Sequence, residues 1–208
     1  MSAPLEPQPP KRSALAQWGA GVQSLAILLG TMWAIALING LLLSNRLVFY
    51  GIRPRTISGL WGILFAPFLH LNLAHLFANT IPFLVLGGLI ILRSLRDFWV
   101  TLGITLLVSG LGVWLFGSAR SVHVGASGLV FGFFGFLLSR SLFDRSLPTL
   151  IFAVVAFFLY GSLIWGVLPL QDGVSWEGHL FGFIGGAIAA KLLATPAEPA
   201  ARDDWSDW

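Results

Sequence analysis

Asp, Glu, Lys and Arg are absent from six long intervals of this chain: 13–45, 56–92, 98–119, 121–139, 146–171 and 178–190. Inside them apolar residues run almost without interruption, as over 25–43 and 151–168. A barrel strand would show about 10 residues of strict apolar alternation, and that pattern is missing. A helix needs about 20 apolar residues to cross a hydrocarbon core ~30 Å thick. The intervals predict six membrane-spanning helices near 20–43, 71–92, 98–116, 127–142, 149–168 and 178–195, the fourth and sixth short. The fold class is all-α, a polytopic membrane bundle.

Composition points the same way. Of 208 residues 56% are hydrophobic and 10% charged, a balance that a soluble domain does not show. Lys11 and Arg12 precede an apolar run as in a signal peptide. That run is too long for the apolar region of one and lacks a convincing cleavage site, so the first span reads as retained. Residues 1–17 read as a disordered cytoplasmic segment, 18–195 as one membrane domain, and 196–208, ending in DDWSDW, as a disordered acidic tail. With no cysteine there is no disulfide, thiolate metal site or cysteine nucleophile. The basic residues flank the spans instead of clustering, which sets nucleic acid aside as a partner.

Orientation follows from the same flanking charges. Lys11, Arg12, Arg93, Arg96, Arg140, Arg145, Lys191 and Arg202 collect on one side, against Arg46, Arg53, Arg55 and Arg120 on the other. The more basic side is the cytoplasm, and it takes both termini. Spans two, four and six then begin on the outer side. Their first turns carry His70, His75 and Asn79, then Ser127, then His179. Polar groups at membrane depth are costly and mark function.

The segment 125–128 puts Ser127 where a loop becomes a helix, between two glycines that let a substrate backbone come close. Its N–H, at a helix N-terminus, faces a developing negative charge favourably. A serine hydroxyl needs a base, and His179 at the start of span six is the candidate. Gly128, Gly132 and Gly135 on span four, with Gly178, Gly182 and Gly186 on span six, supply small-residue faces for close contact between the two. His75 and Asn79, one helical turn apart, face one way, with Asn72 on the same stripe, and suit oxyanion donors. His70, five residues before His75 at the membrane entrance, is placed to donate to a backbone carbonyl or to help admit water. Each feature also has a plain reading as helix packing, and a histidine metal site stays open, although HExxH is absent and no carboxylate lies among the histidines.

Together, His70-x4-His75-x3-Asn79, Gly125-x-Ser127-Gly128 and His179-x2-Gly182-x3-Gly186, in that order over about 69–194, resemble the rhomboid family of intramembrane serine proteases. The resemblance implies a rhomboid-like six-helix bundle. It makes Ser127 the nucleophile, His179 the general base, and His75, Asn79 and the Ser127 amide the oxyanion hole. It requires no metal or cofactor, and its partners are transmembrane protein substrates and membrane lipid, in a bacterial cell membrane. Span five and the loop 169–177 correspond to the family's substrate gate and cap. Two departures stand out. Many members carry a tyrosine where this chain has Phe131, which keeps a ring to stack on the histidine. The first outer loop, 51–68, lacks the Trp-Arg pair of many bacterial members, but its amphipathic character and Trp61 suit a segment lying in the interface. The alternative within the family is an inactive client-binding protein, and such proteins usually lack the serine or the histidine that this chain keeps.

Overall fold

The computed structural model describes residues 14–171 and 173–194. Seven α-helices follow in order: α1 Ala14–Leu42, α2 Ile57–Phe65, α3 Leu73–Arg93, α4 Leu95–Phe116, α5 Ser127–Phe143, α6 Leu147–Tyr160 and α7 Trp176–Leu192. The fold is an all-α bundle, and the six expected spans coincide with α1 and α3 to α7. By length and composition four of these can cross a membrane: α1, α3, α4, and α6 with its continuation to Val167. Helices α5 and α7 have 17 residues each, about 25 Å of rise. Helix α1 starts at Ala14, inside the stretch read as an N-terminal segment. Residues 1–13 and the acidic tail lie outside the described residues.

Helix α5 sits at the centre. Phe133, Phe134 and Phe136 on it are fully buried, among Leu76, Phe83, Leu86, Ile90 and Phe98 of α3 and α4. The lipid-facing shell is the inverse: Leu15, Ile27, Leu41, Phe158 and Leu159 are exposed large apolar side chains, as a bundle in hydrocarbon requires. Helix α2, not among the predicted spans, is a two-faced surface helix. Gly59, Gly62 and Ile63 face inward while Ile57 and Trp61 face out, which agrees with the amphipathic reading of 51–68.

The contact between α5 and α7 is made by backbone. A Cβ on Gly182 would run into the carbonyl of Gly128, and one on Gly186 into the carbonyl of Gly132. No other residue fits at these crossings, and the small-residue faces expected of spans four and six meet there. Ser109 of α4 ties this pair down by donating to the Gly178 carbonyl at 2.8 Å. Because α3, α5 and α7 all run the same way, their first turns gather at one end of the bundle.

Candidate active site

Three local devices set the positions of the polar groups at that end. The Asn72 side chain accepts the His75 N–H at 2.8 Å and caps α3, an interaction worth about 1 kcal/mol. This corrects the stripe expected for Asn72: it stands outside the helix, in extended conformation, and fixes where the helix starts. Gly125 has φ +114°, and a Cβ there would lie 2.6 Å from His75 Nε2. The position therefore needs glycine both for its backbone and for the close approach of the His75 ring. Its N–H donates to the Ala66 carbonyl at 2.8 Å, which locks the loop just before Ser127. Third, the glycine crossings bring α7 close enough to α5 for side chains in their first turns to touch.

His179 Nε2 lies 2.9 Å from Ser127 Oγ, and His179 Nδ1 lies 2.9 Å from the carbonyl oxygen of Gly166. A carbonyl can only accept, so Nδ1 carries the proton and donates it. Nε2 is then the unprotonated nitrogen and accepts from the serine hydroxyl. Phe131, one turn beyond Ser127, lies flat on the imidazole with ring centroids 4.0 Å apart and planes 6° from parallel. The ring is thus clamped on one face by an aromatic and at both nitrogens by hydrogen bonds.

His75, Asn79, Ser127, Phe131 and His179 line one cavity of about 670 Å³. The Asn79 amide donates to the His75 carbonyl at 3.1 Å, which holds its side chain along α3. The N–H groups of the first turn of α5, Ser127 among them, have no acceptor within the helix. A smaller cavity of about 40 Å³ opens beside Ser127 among Gly125, Gly128, Leu129 and Ser109. Chemically, the arrangement offers a hydroxyl in contact with a base of defined tautomer, next to a helix N-terminus.

His70, expected at the membrane entrance, does not line this cavity. It is 2% exposed and packs edge-on against His75, ring centroids 5.1 Å apart. Burial first, and the neighbouring His75 second, push its pKa from 6.5 down to about 4, against a smaller opposing pull from the Phe68 backbone. The folded chain therefore binds fewer protons than the unfolded one between these values. The neutral His70 contributes full stability above pH 6.5, and this is lost as pH falls toward 4, on the order of 3 kcal/mol in all. We expect the melting temperature in detergent to drop across this window and the slope to flatten in His70→Asn; an unchanged slope in that variant would refute the assignment.

A sequence model of the Rhomboid domain matches residues 58–196. The chain belongs to the rhomboid family. It is therefore an integral membrane protein with a helical membrane bundle. It is 42% identical over 193 residues to an uncharacterized protein of Mycobacterium tuberculosis, covering 88% of this chain and 80% of the relative. It is 32% identical to RHOMBOID-like protein 5 of Arabidopsis thaliana, covering 73% of this chain but 47% of the plant protein. YdcA of Bacillus subtilis, a candidate rhomboid protease, is 28% identical over 68% of this chain and 71% of its own.

Two partners of this rhomboid's site lie outside the motifs. Gly166 belongs to a 3-10 stretch, Gly161–Val167, that continues α6; its contribution is a backbone carbonyl, which leaves no side-chain signal in the sequence. His123, read as a loop residue, stays in the loop, but its Nδ1 lies 2.8 Å from Ser175 Oγ just before α7. Its backbone pairs in both directions with Ile52 at 2.9 Å. His123 thus joins the loop 51–56, the loop before Ser127 and the start of α7.

Proposed function

We propose that this rhomboid is an intramembrane serine endopeptidase that cuts transmembrane segments of other membrane proteins with a Ser127–His179 dyad. The observation that carries this reading is the hydrogen bond from Ser127 Oγ to a His179 whose tautomer the Gly166 carbonyl dictates. Ser127 Oγ attacks the scissile carbonyl carbon while its proton passes to His179 Nε2. The oxyanion takes hydrogen bonds from the Ser127 N–H, His75 and Asn79. Collapse expels the amine, which leaves with the proton from His179, and the acyl-enzyme remains. Water then attacks the ester, again giving its proton to His179, and releases the carboxylic acid and the free serine. No metal or cofactor enters any step.

The flanking charges support an orientation with the site toward the outer side of the membrane, all six long helices spanning, and both termini cytoplasmic. The mycobacterial relatives support a bacterial cell membrane.

Labelling of the purified protein with a fluorophosphonate tests the reading. The wild type is expected to react, and Ser127→Ala and His179→Ala to stay unlabelled. A folded wild type that takes no label and cuts no transmembrane substrate would move the assignment to an inactive, client-binding rhomboid. The stacking of Phe131 makes a separate prediction. Loss of the ring in Phe131→Ala lets the imidazole swing and lowers turnover between about tenfold and 100-fold. Phe131→Tyr, which keeps the stacked ring, stays close to wild type when the same substrate is followed.

A further inference from the structure

At the end of the bundle opposite Ser127 and His179, an open pocket of about 400 Å³ is lined by Arg93, Ser94, Arg96, Asp97 and Arg140 with the last residues of α7. Its charges are unevenly matched. Arg93 holds both nearby carboxylates, Asp97 through Nε at 3.2 Å and Asp144 through Nη2 at 2.6 Å, and also donates to Thr149. That leaves Arg96 and Arg140 with no ion-pair partner among the described residues. Arg96 is exposed. Arg140 is 4% exposed, gives Nη1 to the Ala190 carbonyl at 3.0 Å, and has no partner for its buried Nε. Asp97 and Asp144 act on the Arg140 charge at longer range, but neither accepts from its Nε, and a buried guanidinium with donors left over is costly unless an acceptor answers them.

The backbone adds to the same field. The Ser94 side chain caps α4 by accepting the Asp97 N–H at 3.2 Å. The N–H groups of Leu95 and Arg96 remain without helical acceptors at the positive end of a 22-residue helix. Three arginines against two aspartates leave one net positive charge, and two guanidiniums without a direct ion pair, a helix N-terminus and a serine hydroxyl around one open pocket at a bundle end are the donor set of a phosphate group. An amine would find only the Asp97 carboxylate, already held by Arg93, and an apolar ligand would leave these donors unanswered.

We propose that this pocket binds an anionic phosphate ester, the headgroup of an acidic membrane lipid or a soluble phosphate, at the membrane face remote from the serine. Arg140 and Arg96 contact the phosphate oxygens, and Arg93, occupied by its two aspartates, holds the wall of the site. Basic pockets between spanning helices recognise acidic headgroups in this manner.

The test uses the full chain, stripped of lipid in detergent and titrated with phosphatidylglycerol, phosphatidylcholine or inorganic phosphate, with bound molecules counted by native mass spectrometry. Wild type is expected to retain phosphatidylglycerol over phosphatidylcholine, and Arg96→Gln and Arg140→Gln each to reduce that retention about fivefold. Arg96 is exposed, so its variant keeps the fold even if that of Arg140 does not. Displacement of the lipid by inorganic phosphate, or binding of phosphate alone that the same variants abolish, supports the phosphate chemistry and tells lipid from soluble source. Equal retention of both lipids, together with no arginine-dependent phosphate binding, overturns the proposal.

Discussion

Ser127→Ala is expected to reduce cleavage of a transmembrane substrate by about 10⁴-fold or more, and His179→Ala to do nearly the same. The effects should not add, because the hydroxyl and the imidazole act as one unit. With the base gone the serine keeps its proton, and with the serine gone the base has nothing to activate. The structure makes Ser127→Ala a clean probe. Ser127 opens a helix whose loop is held by the Gly125 N–H to Ala66 bond, and the α5–α7 contact is made by glycine backbones. Neither depends on the serine hydroxyl. Ser127→Ala should therefore melt at the wild-type temperature while its turnover vanishes. Cleavage by the purified variant above one part in a thousand of wild type would end the dyad reading.

Gly186→Val should be the most damaging substitution far from the site. Its Cβ would collide with the Gly132 carbonyl and come within 2.7 Å of the Phe136 N–H, both in the backbone of α5. A side chain can rotate out of such a clash, whereas a helix backbone cannot. The two helices must separate, which costs about 3 kcal/mol in overpacking and lowers the melting temperature by about 6–12 °C. The separation also widens the 2.9 Å gap between Ser127 and His179 at the other end of the same contact, so activity falls with stability. Gly88→Ala is the control, since a Cβ there meets nothing within 4 Å, and it should change neither. A Gly186→Val protein with wild-type melting and turnover would show that the crossing is not held by backbone contact.

Much of this was legible in the chain because the bilayer enforces it. A charge inside hydrocarbon is so costly that uncharged intervals outline the helices, and a polar residue in such an interval stands out. That is why Ser127, His179, His75 and Asn79 could be named before any geometry. What stayed hidden has physical reasons too. Asn72 lies three residues before His75, a spacing shared by a helical stripe and a capping pair, and only the backbone conformation separates them. His70 reads as an entrance histidine that could admit water because burial at a loop depends on what packs over it. The Gly166 carbonyl has no sequence signature, and the pairing of His123 with Ser175 joins residues 52 positions apart. Arg140 reads as an ordinary flanking charge until its burial is seen.

The Gly166 carbonyl also ties the imidazole to a different helix. It is carried on the extension of α6 beyond Tyr160, and α6 is outside the glycine-locked pair. Whenever α6 leans away, His179 Nδ1 loses its acceptor and the imidazole is no longer held to one tautomer. By reciprocity, whatever fixes the imidazole must favour the position of α6 that keeps the Gly166 carbonyl against it, by the same free energy. A covalent adduct on Ser127 that engages His179 would then slow amide exchange around 160–167. The readiness of the base and the position of the outer helix behave as a single variable.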